Sequence, residues 1–160
     1  MKRREIIRMS LAATAASLLQ KTALAHHGWS SFDQQRPIYL EGRVAKVVWQ
    51  NPHAEFELEL PASLILPPDL AQRTLPAQSA PVDGKALLAK AVLPTRTDKR
   101  WEIELAPLTR LQAWQVPEIK PGAQLSVLGF TFTAEKGEAV LRAEYLFLDG
   151  KTYGFRSSPA

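Results

Sequence analysis

His26, His27 and His53 are the only imidazoles in the 160-residue chain. His26 and His27 follow directly on Ala23-Leu24-Ala25, whose small residues suit signal-peptidase cleavage. A cut after Ala25 makes His26 the first residue of the mature protein, with a free α-amine beside its ring. Amine and imidazole of one residue close a chelate ring on a single ion, so holding one donor brings the other into place. A second imidazole, from His27 or His53, completes a three-nitrogen set suited to copper(II), nickel or zinc, and copper heads the order of affinity. Asp33 and Glu55 are the expected further ligand or orienting carboxylate. His53, in Asn51-Pro52-His53, opens a stretch of alternating residues that is expected to show Glu55 and Glu57 on its own face.

The segment before these residues has the three parts of an export signal. Lys2, Arg3, Arg4 and Arg8 form a basic start, Leu11 to Leu19 a short apolar stretch, and Ala23 and Ala25 the cleavage positions. The apolar stretch falls well short of the ~20 residues that span a bilayer, so no stable membrane anchor is expected after cleavage. Arg3-Arg4-Glu5-Ile6-Ile7-Arg8 resembles the twin-arginine export motif, and the weak hydrophobicity and Lys21 fit that route; an ordinary secretory signal is the alternative. The expected location is the periplasm.

Export changes the charge. The whole chain has 20 Lys+Arg against 16 Asp+Glu, but residues 1–25 hold five of the bases and one acid, which leaves 15 of each in the mature chain. A net charge of zero gives no field to attract nucleic acid or an anionic membrane. Cysteine is absent, so disulfides, thiolate metal sites and cysteine nucleophiles are excluded. Residues 26–160 suffice for one domain whose stability rests on packing.

Strands must position the histidines. Ile38 to Trp49 is a β-rich run interrupted by Gly42, read as a bulge or bend. Phe56, Leu58 and Leu60 alternate with Glu55, Glu57 and Glu59; Trp101, Ile103 and Leu105 alternate with Arg100, Glu102 and Glu104. This period of two predicts a pair of antiparallel strands, each with an apolar face and a solvated charged face. Between them, residues 61–99 carry six of the twelve prolines. They predict a long, partly mobile excursion with no function of its own, in which Lys85 to Val92 form at most a short helix or strand. Leu108 to Trp114, bounded by Pro107 and Pro117, has helical spacing. A fourth strand is expected over Leu125 to Phe130, a hairpin at Lys136-Gly137 and a fifth strand over Val140 to Leu148, with Tyr153 and Phe155 covering an open end of the core.

Strand, strand, strand, helix, strand, strand is the order of a five-stranded OB-type barrel, so the expected class is all-β, preceded by a signal-peptide helix. A small antiparallel sandwich is the competing architecture. The chain also resembles a family of exported bacterial proteins carried as a domain of unknown function. The resemblance rests on His26-His27-Gly28-Trp29-Ser30-Ser31-Phe32-Asp33, Leu40-Glu41-Gly42-Arg43-Val44 and Trp49-Gln50-Asn51-Pro52-His53. It extends through Trp101-Glu102-Ile103-Glu104, Leu108 to Trp114, Lys120-Pro121-Gly122 and Leu148-Asp149-Gly150. It implies a periplasmic OB-like domain and no particular activity.

No residue pattern marks a catalytic site. Ser30 and Ser31 lack a recognisable elbow or base orienter, and the strand glutamates read first as a solvated face. Trp49, Trp101 and Trp114 read as core or core-edge residues. Two functions of different class remain. One is a copper-handling protein that uses His26, His27 and His53. The other is a non-metal OB-type ligand-binding or adaptor module with a periplasmic protein or small molecule as partner. The position of His53 relative to the start of the mature chain separates them.

Overall fold

The computed structural model describes residues 28–160; the signal segment and its expected helix, His26 and His27 lie outside the described residues. Six strands form one sheet: β1 (Ile38–Val48), β2 (Glu55–Glu59), β3 (Arg100–Glu104), β4 (Gln124–Phe130), β5 (Val140–Leu148) and β6 (Lys151–Gly154). Their order is β3-β2-β1-β4-β5-β6, and an additional pairing of β3 with β5 closes the sheet on itself. The result is a closed five-stranded mixed barrel, β1-β2-β3-β5-β4, with β6 outside it. All neighbours run antiparallel except β3 and β5, which are parallel. Closure removes the open edges that β3 and β5 would otherwise present. Helix α2 (Leu108–Ala113) lies between β3 and β4, as the Leu108 to Trp114 spacing predicts.

The alternating strands behave as their period requires. Phe56 and Leu58 of β2 and Trp101 and Ile103 of β3 point inward and are buried. Glu57 faces Glu102, and Glu55 faces Glu104, across the antiparallel pair. Tyr153 and Phe155 join the same core. Gly42 has a different role from the expected bulge. The register shift in β1 falls between Val44 and Lys46, whereas a Cβ at Gly42 would lie 2.1 Å from the Glu59 carbonyl oxygen. Only glycine permits that approach of the two backbones.

The proline-rich excursion packs against the barrel. It contains α1 (Gly84–Lys90), whose first turn is capped by the Asp83 carboxylate accepting the Ala86 N–H at 3.0 Å. Leu70, Leu88 and Ala91 form a second core with Tyr39, Leu128 and Tyr145 on the outer surface of β1, β4 and β5. Its far end is tied down by the Glu135 carboxylate, which accepts the backbone N–H groups of Thr95 and Arg96 at 3.0 Å and also pairs with Arg36. Among the described residues no helix is long and apolar enough to cross a membrane.

Candidate functional site

The described chain begins on the barrel's outer surface. Trp29–Ser31 form one 3-10 turn, in which the Ser31 N–H donates to Gly28 O at 3.0 Å and the Phe32 N–H to Trp29 O at 3.2 Å. The Asp33 N–H then donates to Thr131 O at 2.8 Å, just beyond β4, and Phe32 stacks on Phe132 with ring centroids 5.1 Å apart. The segment is thus held by backbone bonds at one end and by aromatic contacts along its length.

Trp29 is its main anchor. Its ring meets Phe130 edge-on, and two guanidinium carbons approach it, that of Arg156 at 4.0 Å and that of Arg142 at 5.5 Å. Each arginine is held by a buried carboxylate. Glu144 Oε2 accepts from Arg156 Nε and Nη2 at 2.9 and 2.7 Å, and Glu104 Oε2 accepts from Arg142 Nε and Nη2 at 2.8 and 2.6 Å. Burial pushes the Glu144 carboxyl above its ordinary range, against the pull of Arg156. The pairs hold the guanidinium planes in place for cation–π contact with the indole.

The turn after β1 brings His53 to the same region. Asn51 Oδ1 accepts the Leu108 N–H at 3.1 Å, fastening this turn to the start of α2. The Ala54 N–H donates to Ala106 O at 3.1 Å, and the Leu105 N–H to Ala54 O at 2.9 Å. These bonds extend the β2–β3 ladder past its end and fix His53 beside Ala106. A pocket of about 290 Å³ results, lined by Gly28, Trp29, His53, Arg110, Arg142 and Phe155 over a floor of Leu105 to Pro107. Gly28 and His53, 25 positions apart in sequence, therefore share one concavity.

Neither of the two expected carboxylates lines this pocket. Asp33 Oδ1 accepts the Gln35 N–H at 3.1 Å within its own turn. Glu55 lines a separate pocket of about 110 Å³ with Lys46, Glu57 and Glu102. The alternation of β2 runs back through Ala54, which is buried like Phe56 and Leu58, so His53 stands on the side of Glu55 and Glu57 while lining a different pocket. Among the described residues no group of three or more His, Asp or Glu side chains is gathered as for a metal ion. On the acidic wall, burial first, and then the charges of Glu55 and Glu104, push the Glu102 carboxyl up to about 7.

Sequence reasoning missed the two buried pairs. Glu104 is 7% exposed and Arg142 4%, so Glu104 is not the solvated strand residue its alternation predicts. A signal was present: Arg142 and Glu144 interrupt an otherwise apolar fifth strand, where a charge at every second place needs a partner.

A family model, described as a family of unknown function (DUF6152), matches residues 14–63, a span that holds all three histidines together with β1 and β2. No curated protein and no solved structure matches the chain.

Proposed function

We propose that this is an exported, periplasmic metal-binding protein, that its metal is copper, and that the ligands are the amine and ring of His26, the ring of His27 and the ring of His53. The supporting observation is the shared pocket: His53 and Gly28 line it together, and His27 is bonded directly to Gly28. Consecutive Cα atoms are about 3.8 Å apart, so a mature N-terminus at His26 is tethered within two residues of the His53 pocket. The Trp29 anchor gives that tether a fixed origin. Since no three ligating side chains gather among the described residues, this reading depends on His26 and His27. Protons compete for amine and imidazole nitrogen, so affinity falls as pH falls.

Native intact-mass measurement of the chain exported to a periplasm, with and without added copper, tests this reading. The expected result is a mature chain that starts at His26 and retains one copper ion, with retention lost in His53→Ala. A mature chain starting elsewhere, or one starting at His26 that takes up no copper, refutes it. The two guanidiniums in the pocket lining favour a second reading, a non-metal binding module of the periplasm.

A further inference from the structure

Eight arginines lie among the described residues, and seven of them form an ion pair with an aspartate or glutamate. Arg110 is the eighth. It sits on α2, half-buried, and its Nη1 donates to Phe155 O at 2.9 Å. Its Nε–Nη2 edge has no protein partner among the described residues. Burying a guanidinium without a counter-charge is unfavourable, and proteins ordinarily answer it with a carboxylate. In this chain the exception falls on the rim of the His53 pocket.

From Arg110 we infer that this pocket binds a small monocarboxylate with an apolar body. The charge count favours a single negative charge. Arg142, the other guanidinium in the lining, is already neutralised by Glu104 at 2.6 Å, so Arg110 supplies the unmatched positive charge. The parallel N–H groups of a guanidinium edge match the two oxygens of a carboxylate. Leu105, Pro107, Phe155 and the Trp29 ring offer apolar walls for the rest of the molecule. At about 290 Å³ the pocket is at the small end of ligand sites, which suits a molecule with few heavy atoms. A doubly charged, strongly hydrated anion such as phosphate would find one uncompensated cation where it needs several. The inference rests on Arg110 and holds with or without a metal.

The test is a titration of the full mature chain, stripped of metal by dialysis, with benzoate, followed in ¹H–¹⁵N correlation spectra. Saturable shifts are expected at Gly28, Ala106, Phe155 and the Trp29 indole N–H. Arg110→Gln should weaken binding by at least about tenfold, the loss expected for a charge-assisted bond. Arg110→Lys, which keeps the charge without the two-pronged edge, should lie between. Phosphate should not compete. Shifts centred away from this pocket, no saturation by about 10 mM, equal affinity in a folded Arg110→Gln chain, or competition by phosphate at equal concentration each overturn the inference. If Arg110→Gln does not fold, the wild-type shift map and Arg110→Lys decide. Because the titration is metal-free, its failure is separate from a failure of copper binding.

Discussion

Replacing Glu102 by glutamine is expected to stabilise the protein at about pH 8 and to leave it unchanged at about pH 4. Glu102 stands directly across from Glu57, beside the Glu55–Glu104 pair, and its Oε1 is buried with no hydrogen-bond partner. Like charges opposite one another on antiparallel strands are destabilising. Burial and these neighbours raise its pKa from the ordinary 4.5 to about 7. Between those values the folded chain holds a proton that the unfolded chain has released, so stability falls as pH rises through this window and stays reduced above about 7. A gap of about 2.5, at about 1.36 kcal/mol each, corresponds to about 3.4 kcal/mol. Glu102 is partly exposed, and screening by solvent reduces this to about 1–2 kcal/mol. Glutamine keeps the shape and cannot ionise, so the variant recovers that amount above the window and nothing below it. Thermal melts of wild type and Glu102→Gln at both pH values measure it; about 4 °C per kcal/mol is expected for a domain of this size. A variant that melts lower at the alkaline pH, or gains equally at both, refutes the reasoning, because the effect would then come from packing.

Two further substitutions test the architecture. Arg142→Met leaves the Glu104 carboxylate buried and alone, and should cost about 3–5 kcal/mol in urea unfolding; adding Glu104→Gln should restore most of it. A loss below about 1 kcal/mol in the single variant would show that the pair does not hold the barrel seam. Gly42→Ala forces a methyl into the space of the Glu59 carbonyl and should lower stability by about 1–3 kcal/mol. An unchanged melting temperature would mean that the β1–β2 approach is looser than the structure shows.

The barrel was legible because its strands obey a period of two. Phe56-Glu57-Leu58 and Trp101-Glu102-Ile103 announce their inward faces without help from the rest of the chain, and Val140 to Leu148 has the bounds that its apolar run implies. The excursion's short helix was legible, since α1 overlaps the expected Lys85 to Val92 stretch, but its packing on the barrel was not, because prolines argue only against regular structure. The better clue lay in β5. Tyr145 and Phe147 sit on the opposite face from Leu146 and Leu148, and a strand apolar on both faces demands a cover on each. The 61–99 segment was the remaining stretch long enough to supply it. The Glu104–Arg142 pair was hidden for another reason. Those residues are neighbours through the parallel β3–β5 register, a contact that exists only once the barrel is closed. His53 was recognisable as a residue of interest, but its nearness to Gly28 depends on the Asn51 and Ala54 bonds that carry it to α2.

The charge of the pocket connects the two proposals. Closure of the barrel sets Arg142 against Glu104, which removes one of the two guanidinium charges from the lining and leaves Arg110 as the active one. A divalent ion held by neutral amine and imidazole donors brings two more positive charges beside it and no ligand to offset them. At an effective dielectric near 20, a unit charge and a divalent ion within about 10 Å of each other repel by at least about 3 kcal/mol, comparable to a loss of about a hundredfold or more in affinity. A carboxylate seated on the Arg110 edge neutralises that charge and removes the repulsion. The two ligands should therefore bind with positive coupling, each raising the affinity for the other by the same factor. Copper binding that is strengthened by benzoate in wild type and indifferent to it in Arg110→Gln is the signature of that arrangement; copper binding indifferent to benzoate in both would leave metal and anion as unrelated occupants of one pocket.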